Sequence, residues 1–228
     1  VTSAADVPVR PPIAGLYALT PDRESPDEVY SAATAALRGG AKWLQLRSKK
    51  LDASERAGLA HRLRTLTLLH GASLVINDDA ALAVECRADG VHLGRDDADL
   101  GDIARLSRMG HGDGRPLVVG VSCYDDLNRA REAEKAGAGY VAFGSFFVSG
   151  TKPLARRAPL SLLTEARRCL RVPIVAIGGI DATNATALID AGADALALIA
   201  ALFEVPDTER AARYFAALTW QRDPAWQA

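Results

Sequence analysis

Gln45, Arg47 and Lys49 occupy alternate positions, and Asn77-Asp78, Asp97, Ser122 and Ser149-Gly150-Thr151-Lys152 follow further along, each set after a short apolar run. An amide, two cations, hard oxygen donors and hydroxyls are the groups that hold phosphate oxygens and a divalent cation. On an extended run Gln45 and Arg47 share one face, and Lys49 continues into the loop. Arg grips phosphate oxygens bidentately, whereas Lys supplies a mobile point charge. An arginine aimed into an interior without an anion is costly, so Arg47 is a sharper signal than Lys49-Lys50, which alone reads as an ordinary solvated pair. Asn77-Asp78 and Asp97 suit magnesium, which takes one or two carboxylates and completes its octahedron with water and substrate phosphate. Helix capping is the competing role for any such aspartate, and it weighs most on Asp79 and Asp99.

A second set of residues points to an anion held by backbone. Val175 to Ile180 contains Gly178-Gly179, whose N–H groups can approach an anion closely, and a helix predicted to open at Asp181 adds partial positive charge there. A plain tight turn is the competing reading. Ser149 to Pro153 reads as a lid that delivers Lys152 to a departing phosphate and excludes water. Arg156 and Arg157 are expected in solvent. Ser122 closes its apolar run and either donates to phosphate or satisfies the chain end. Cys123 has neither a base nor a positive surround in sequence to mark it as a nucleophile. His92 reads as a hydrogen-bonded core histidine, and Phe146-Phe147 as packing.

The elements that must position these groups recur every 20 to 30 residues or so: Gly15 to Thr20, Trp43 to Arg47, Leu74 to Asn77, Gly90 to Leu93, Val118 to Ser122, Tyr140 to Gly144, Ile174 to Gly178 and Ala195 to Ile199. Near-continuous apolar runs are the mark of strands buried on both faces of a parallel sheet. Helical segments alternate with them, opening at Ser25-Pro26-Asp27-Glu28 and ending at Gly39-Gly40, Ala136-Gly137 and Ala191-Gly192. Eight repeats without a Gly-rich loop after the first strand select a single-domain (β/α)8 TIM barrel over a doubly wound sheet. Residues following each strand then share the rim where such barrels keep their chemistry.

A chain of 228 residues, 49% hydrophobic, is long enough for one such core. We assign 1–12 to an N-terminal arm, 13–218 to the barrel and 219–228 to a tail. Net charge of −1 argues against a general nucleic-acid or anionic-membrane binder. Three scattered cysteines without a C-x-x-C pair, and four histidines without ligand spacing, argue against zinc and for a reducing, cytoplasmic setting. The opening residues lack the apolar core of a signal peptide, and no run of about 18 uncharged apolar residues is present to span a bilayer.

Gln45-Leu46-Arg47-Ser48-Lys49, Ile76-Asn77-Asp78, Gly90-Val91-His92-Leu93-Gly94 with Asp97, Gly120-Val121-Ser122, Thr151-Lys152 and Ala176-Ile177-Gly178-Gly179-Ile180 together resemble the thiamine phosphate synthase family, in order from about Leu16 to Phe203. The resemblance implies a barrel that joins a pyrimidine methyl diphosphate to a thiazole phosphate with Mg2+, releasing diphosphate. By position it assigns Gln45, Leu46, Arg47, Ser48, Lys49 and Asn77 to the pyrimidine diphosphate, and Asp78 and Asp97 to the metal. Ser122 and Lys152 fall to the diphosphate, and Ser149, Gly150, Thr151, Gly178, Gly179 and the Ile199-Ala200 backbone to the thiazole phosphate. It also implies that diphosphate leaves first, so that no side-chain nucleophile is required and the catalytic demand falls on magnesium, Arg47, Lys49, Ser122 and Lys152.

This chain departs from the family pattern at Cys123-Tyr124, where Thr-His is frequent, at Asp79 in place of Arg, and at Ala200 in place of Ser. A thiazole tautomerase paralogue shares the barrel but relies on a histidine near position 124 and tends to lose the metal residues. Retained Asp78, Asp97 and Lys152 with Tyr124 favour the synthase over it, and over a silent phosphate binder that has no need of a metal. A homo-oligomer is compatible with the sequence.

Overall fold

The computed structural model describes residues 13–94, 99–108, 116–148 and 156–220. The apolar runs form β1 (Gly15–Leu19), β2 (Trp43–Leu46), β3 (Ser73–Asn77), β4 (Gly90–Leu93), β5 (Val118–Tyr124), β6 (Tyr140–Phe143), β7 (Ile174–Ile177) and β8 (Ala195–Leu198). They pair in parallel in chain order, and β8 returns to β1 from Gly15↔Ala195 to Ala18↔Leu198, closing the cylinder. The expected TIM barrel is the observed fold. Around it lie α1 (Pro26–Arg38), α2 (Ala53–Leu69), α3 (Ala80–Glu85), α4 (Leu100–Arg108), α5 (Leu127–Ala136), α6 (Ser161–Cys169), α7 (Ala185–Ala191), α8 (Ala200–Phe203) and α9 (Thr208–Trp220).

Strand periodicity of two sorts the core into two apolar layers. Leu16, Leu44, Ile76, Val91, Val119 and Val141 face outward into the layer shared with the helices. Tyr17, Leu19, Trp43, Val75, Tyr140, Ala142, Val175, Ala195 and Ala197 fill the barrel interior. Gln45, His92 and Ser122 keep the inward phase on their own strands, so polar groups enter a cylinder that is otherwise apolar. At the opposite end of the strands Arg64 pairs with buried Asp89 at 2.7 Å, while the same carboxylate accepts the Leu74 N–H. Asp194 likewise accepts the Ile174 N–H and pairs with Arg167. Both contacts tie helices to the strand starts and leave the other rim for chemistry.

Helix boundaries follow local side-chain chemistry. Ser25 caps α1 with Pro26 in its first turn, and Asp52 and Glu55 form a reciprocal capping box on α2. Gly137 and Gly192 end α5 and α7 in the left-handed conformation that glycine adopts without steric penalty. Two expectations are corrected. Ser122 does not end its strand, because β5 continues through an irregularity to Tyr124. The helix expected from Asp181 begins instead at Ala185, since Asp181 accepts the Thr183 N–H and hydroxyl and Asn184 accepts the Asp181 N–H, holding a polar turn. Among the described residues no helix is long and apolar enough to cross a membrane.

Candidate active site

The carboxyl ends of β1 and β2 fix the cationic loop. Thr20 Oγ1 donates to the Arg47 carbonyl at 3.0 Å and accepts the Arg47 N–H at 2.9 Å. Asp22 Oδ1 accepts the N–H groups of Lys49 and Lys50 at 3.0 and 3.3 Å, and Ser48 Oγ accepts that of Leu51. With its backbone held at these points, the segment keeps one geometry. The Arg47 guanidinium and the Lys49 ammonium meet no hydrogen-bond or ion-pair partner among the described residues. Leu46, by contrast, is buried toward the helices and contributes packing. Lys50 pairs with Glu24 and belongs to the surface.

Asn77 and Asp78 follow at the end of β3. Asp78 takes a left-handed backbone (φ 63), its N–H donates to the His92 carbonyl at 2.8 Å, and its carboxylate accepts from the Asn77 amide. A strained turn of this kind sets a carboxylate at the rim instead of letting the strand run on. Asp79 caps α3 through the Leu82 N–H, and Asp99 accepts the Asp102 N–H, so both have the structural role that competed for them. Asp97, and the lid residues Ser149, Gly150, Thr151 and Lys152, lie outside the described residues. Among the described residues no group of three or more His, Cys, Asp or Glu side chains could hold a metal ion.

Below the rim a continuous hydrogen-bond chain crosses the barrel interior. Gln45 Nε2 donates to the Tyr17 hydroxyl at 2.7 Å, Tyr17 meets the Tyr140 hydroxyl at 2.9 Å, Tyr140 meets His92 Nδ1 at 3.0 Å, and His92 Nε2 meets Ser122 Oγ at 2.9 Å. The Tyr140 ring has room because Gly120 is its register partner: a Cβ there would lie 2.0 Å from the ring. Burial first of all drives both phenols well above the ordinary tyrosine range, which keeps their protons in place at neutral pH. His92 is thus the hydrogen-bonded core residue expected of it. Tyr17 and Tyr140 escaped sequence reasoning, although their inward phase, shared with Gln45 and His92, was the available signal.

Arg129 closes this side of the rim, its Nε donating to the Ser122 carbonyl at 2.9 Å and its Nη2 to the Gly94 carbonyl at 3.3 Å. Cys123 faces the outer apolar layer, fully buried, where a thiol has no nucleophilic part to play. Phe146 is buried and Phe147 packs against the same layer. Arg156 pairs with Asp125 while remaining largely in solvent, and Arg157 is exposed.

At β7 the material is backbone. Gly178 and Gly179 have φ values of 100 and 66, and the segment after β6 lies against both: a Cβ on Gly179 would stand 2.4 Å from the Val148 carbonyl oxygen. Asn184 Nδ2 donates to the Gly179 carbonyl at 3.1 Å. The N–H groups of Gly179 and Ile180 meet no acceptor among the described residues. Next to them β8 ends at Leu198, and Ile199 precedes the single turn of α8 beginning at Ala200. The Thr183 hydroxyl and N–H hold the Asp181 carboxyl below the usual carboxylate range, which favours the ionised form, so its charge is spent on the local turn.

Comparison with known proteins bears on the family and the fold. The family model described as thiamine monophosphate synthase matches residues 16–202. A thiamine-phosphate synthase of Thiobacillus denitrificans is 50% identical over 209 residues, covering 89% of this chain and 95% of that protein. Its counterpart in Thioalkalivibrio sulfidiphilus is 46% identical over 205 residues, covering 90% and 94%. A solved structure of thiamine phosphate pyrophosphorylase from Pyrococcus furiosus superposes with a TM-score of 0.79 at 31% identity, covering 91% of this chain and 96% of the other. A 3-hexulose-6-phosphate synthase structure, at 20% identity and a TM-score of 0.71, shares the fold alone.

Proposed function

The chain belongs to the thiamine monophosphate synthase family, and we propose that its rim divides the family's reaction between two anion-binding poles. The enzyme is a transferase that condenses 4-amino-2-methyl-5-(diphosphooxymethyl)pyrimidine with 4-methyl-5-(2-phosphooxyethyl)thiazole, giving thiamine phosphate and diphosphate. Arg47, Lys49, Asn77 and Ser122 take the diphosphate, and Gln45 takes the pyrimidine. Gly178, Gly179 and the Ile199-Ala200 backbone take the thiazole phosphate. Lys152 and the Ser149 to Thr151 hydroxyls join them by family position, as Asp97 does for the metal.

The observation that carries this reading is the pair of cations, Arg47 and Lys49, held by Thr20 and Asp22 yet without partners of their own among the described residues. In the reaction the bond between the pyrimidine methyl carbon and the diphosphate oxygen breaks, and the thiazole nitrogen bonds to that carbon. Negative charge grows on the departing oxygen. Donors already fixed in place meet it without reorganising, which is where such sites gain most of their rate. No attacking side chain is needed, and the serine nearest a histidine, Ser122, is a donor here.

Oxygen-only donors at Asp78, with Asp97, fit magnesium, and the family's dependence on that ion suits them. When bound, magnesium supplies positive charge to phosphate oxygens. The protein's own part is to hold Asp78 at the rim and to orient the diphosphate with Arg47 and Lys49. A reducing cytoplasm fits the free thiols of Cys86, Cys123 and Cys169.

Purified protein mixed with both phosphorylated heterocycles, with and without Mg2+, tests the proposal by mass detection of product. Thiamine phosphate forming only with the metal is the expected result. Failure to couple, with conversion of the thiazole alone, would move the chain to the tautomerase branch.

A further inference from the structure

The interior chain from Gln45 to Ser122 has a direction, and the direction is chemical information. Gln45 is 2% exposed, its Nε2 donates to Tyr17, and its Oε1 meets no donor among the described residues. An amide nitrogen cannot accept, so the Tyr17 oxygen must receive this bond and its own proton is directed to Tyr140. The Tyr140 proton is then directed to His92 Nδ1. With Nδ1 accepting, a neutral imidazole carries its proton on Nε2 and donates it to Ser122 Oγ. The Ser122 proton, displaced from the histidine, is left for an acceptor at the rim.

We propose that Tyr17, Tyr140 and His92 are positioning residues that polarise the site, presenting a bare amide oxygen at Gln45 and a hydroxyl donor at Ser122, and so select a ligand with an amine at one end and phosphate oxygens at the other. This deepens the reading above and rests on it: an aminopyrimidine carrying a diphosphate has that pattern, whereas an oxo-pyrimidine diphosphate would set one acceptor against another at Gln45. A buried acceptor without a donor is unfavourable, and an amine N–H placed against the Gln45 oxygen satisfies it. The reverse direction would put the proton on Nδ1, turn the Gln45 NH2 toward the ligand and leave Ser122 donating to the histidine. Ser122 would then be an activated nucleophile of the Ser-His kind.

Two measurements separate these arrangements. In wild-type protein with 15N-labelled histidine, ring nitrogen shifts at pH 7.5 should show His92 protonated on Nε2 with Nδ1 accepting; a proton on Nδ1 overturns the proposal whatever the activity. This readout needs no substrate, so it stands even if the assigned reaction fails. Tyr140→Phe keeps the ring over Gly120 and cuts the chain at one atom. It should lower kcat/KM for the aminopyrimidine diphosphate by about tenfold or more, narrow its preference over the oxo analogue by a similar factor, and leave KM for the thiazole phosphate unchanged. Unchanged discrimination in a folded Tyr140→Phe protein overturns the proposal, as does an equal rise in both KM values.

Discussion

In the proposed reading, an anion is met by side chains at the end of β2 and by main chain at the end of β7. Arg47 and Lys49 stand on a loop that Thr20 and Asp22 hold by its backbone, and neither charge meets a hydrogen-bond or ion-pair partner among the described residues. Gly178 and Gly179 lie directly against Ser145, Phe147 and Val148, so their shape is inseparable from the packing of the next loop. Substitution at one proposed phosphate pole is therefore expected to harm turnover, and substitution at the other to harm the fold as well. A leaving diphosphate needs cationic donors already in place where negative charge develops, whereas a phosphate that only anchors its substrate is served by backbone N–H groups.

The largest effect should come from the first pole. Arg47→Ala should lower kcat/KM by on the order of a hundredfold, about 3 kcal/mol of transition-state stabilisation. Its thermal midpoint should stay near that of the parent, because the guanidinium meets no hydrogen-bond or ion-pair partner among the described residues. A large drop in melting temperature would blur the contrast between the poles. Gly179→Ala should do less to turnover and more to stability, costing about 1–3 kcal/mol, since alanine must adopt a left-handed backbone against the Val148 carbonyl. Calorimetry should find weaker thiazole phosphate binding and unaltered pyrimidine diphosphate binding; the opposite pattern would exchange the two assignments.

The smallest effect concerns the interior between the poles. Burial raises both Tyr17 and Tyr140, while tyrosine in the unfolded chain ionises near its ordinary value of 10.0. The unfolded state therefore loses protons that the folded state keeps. Their contribution to stability is fully present below about pH 10 and declines as pH rises above it. Urea midpoints at pH 8 and pH 11 should fall less in Tyr17→Phe than in the parent, and equal declines would remove the phenols from the account.

Eight strands were legible because each is an apolar run buried on both faces, and the rim positions of Arg47, Asn77 and Asp78 were legible because polar groups close those runs at their carboxyl ends. Helix starts depend on how polar side chains divide themselves between capping and turns, a choice sequence leaves open at Asp181 to Asn184. The extension of β5 past Ser122 depends on its irregular pairing with β6. Tyr17 and Tyr140 stayed hidden for a different reason. Aromatic residues in a barrel strand read as filling, and only the closing of β1 onto β8, with glycine at 120, brings their hydroxyls together with Gln45 and His92.

Titration calorimetry of each substrate with and without Mg2+ tests the division of labour most directly. The two-pole account predicts that the metal tightens pyrimidine diphosphate binding by about tenfold or more and leaves thiazole phosphate binding unchanged, since the proposed oxygen donors, Asp78 and Asp97, belong to the diphosphate pole. Equal tightening of both, or of neither, would contradict it.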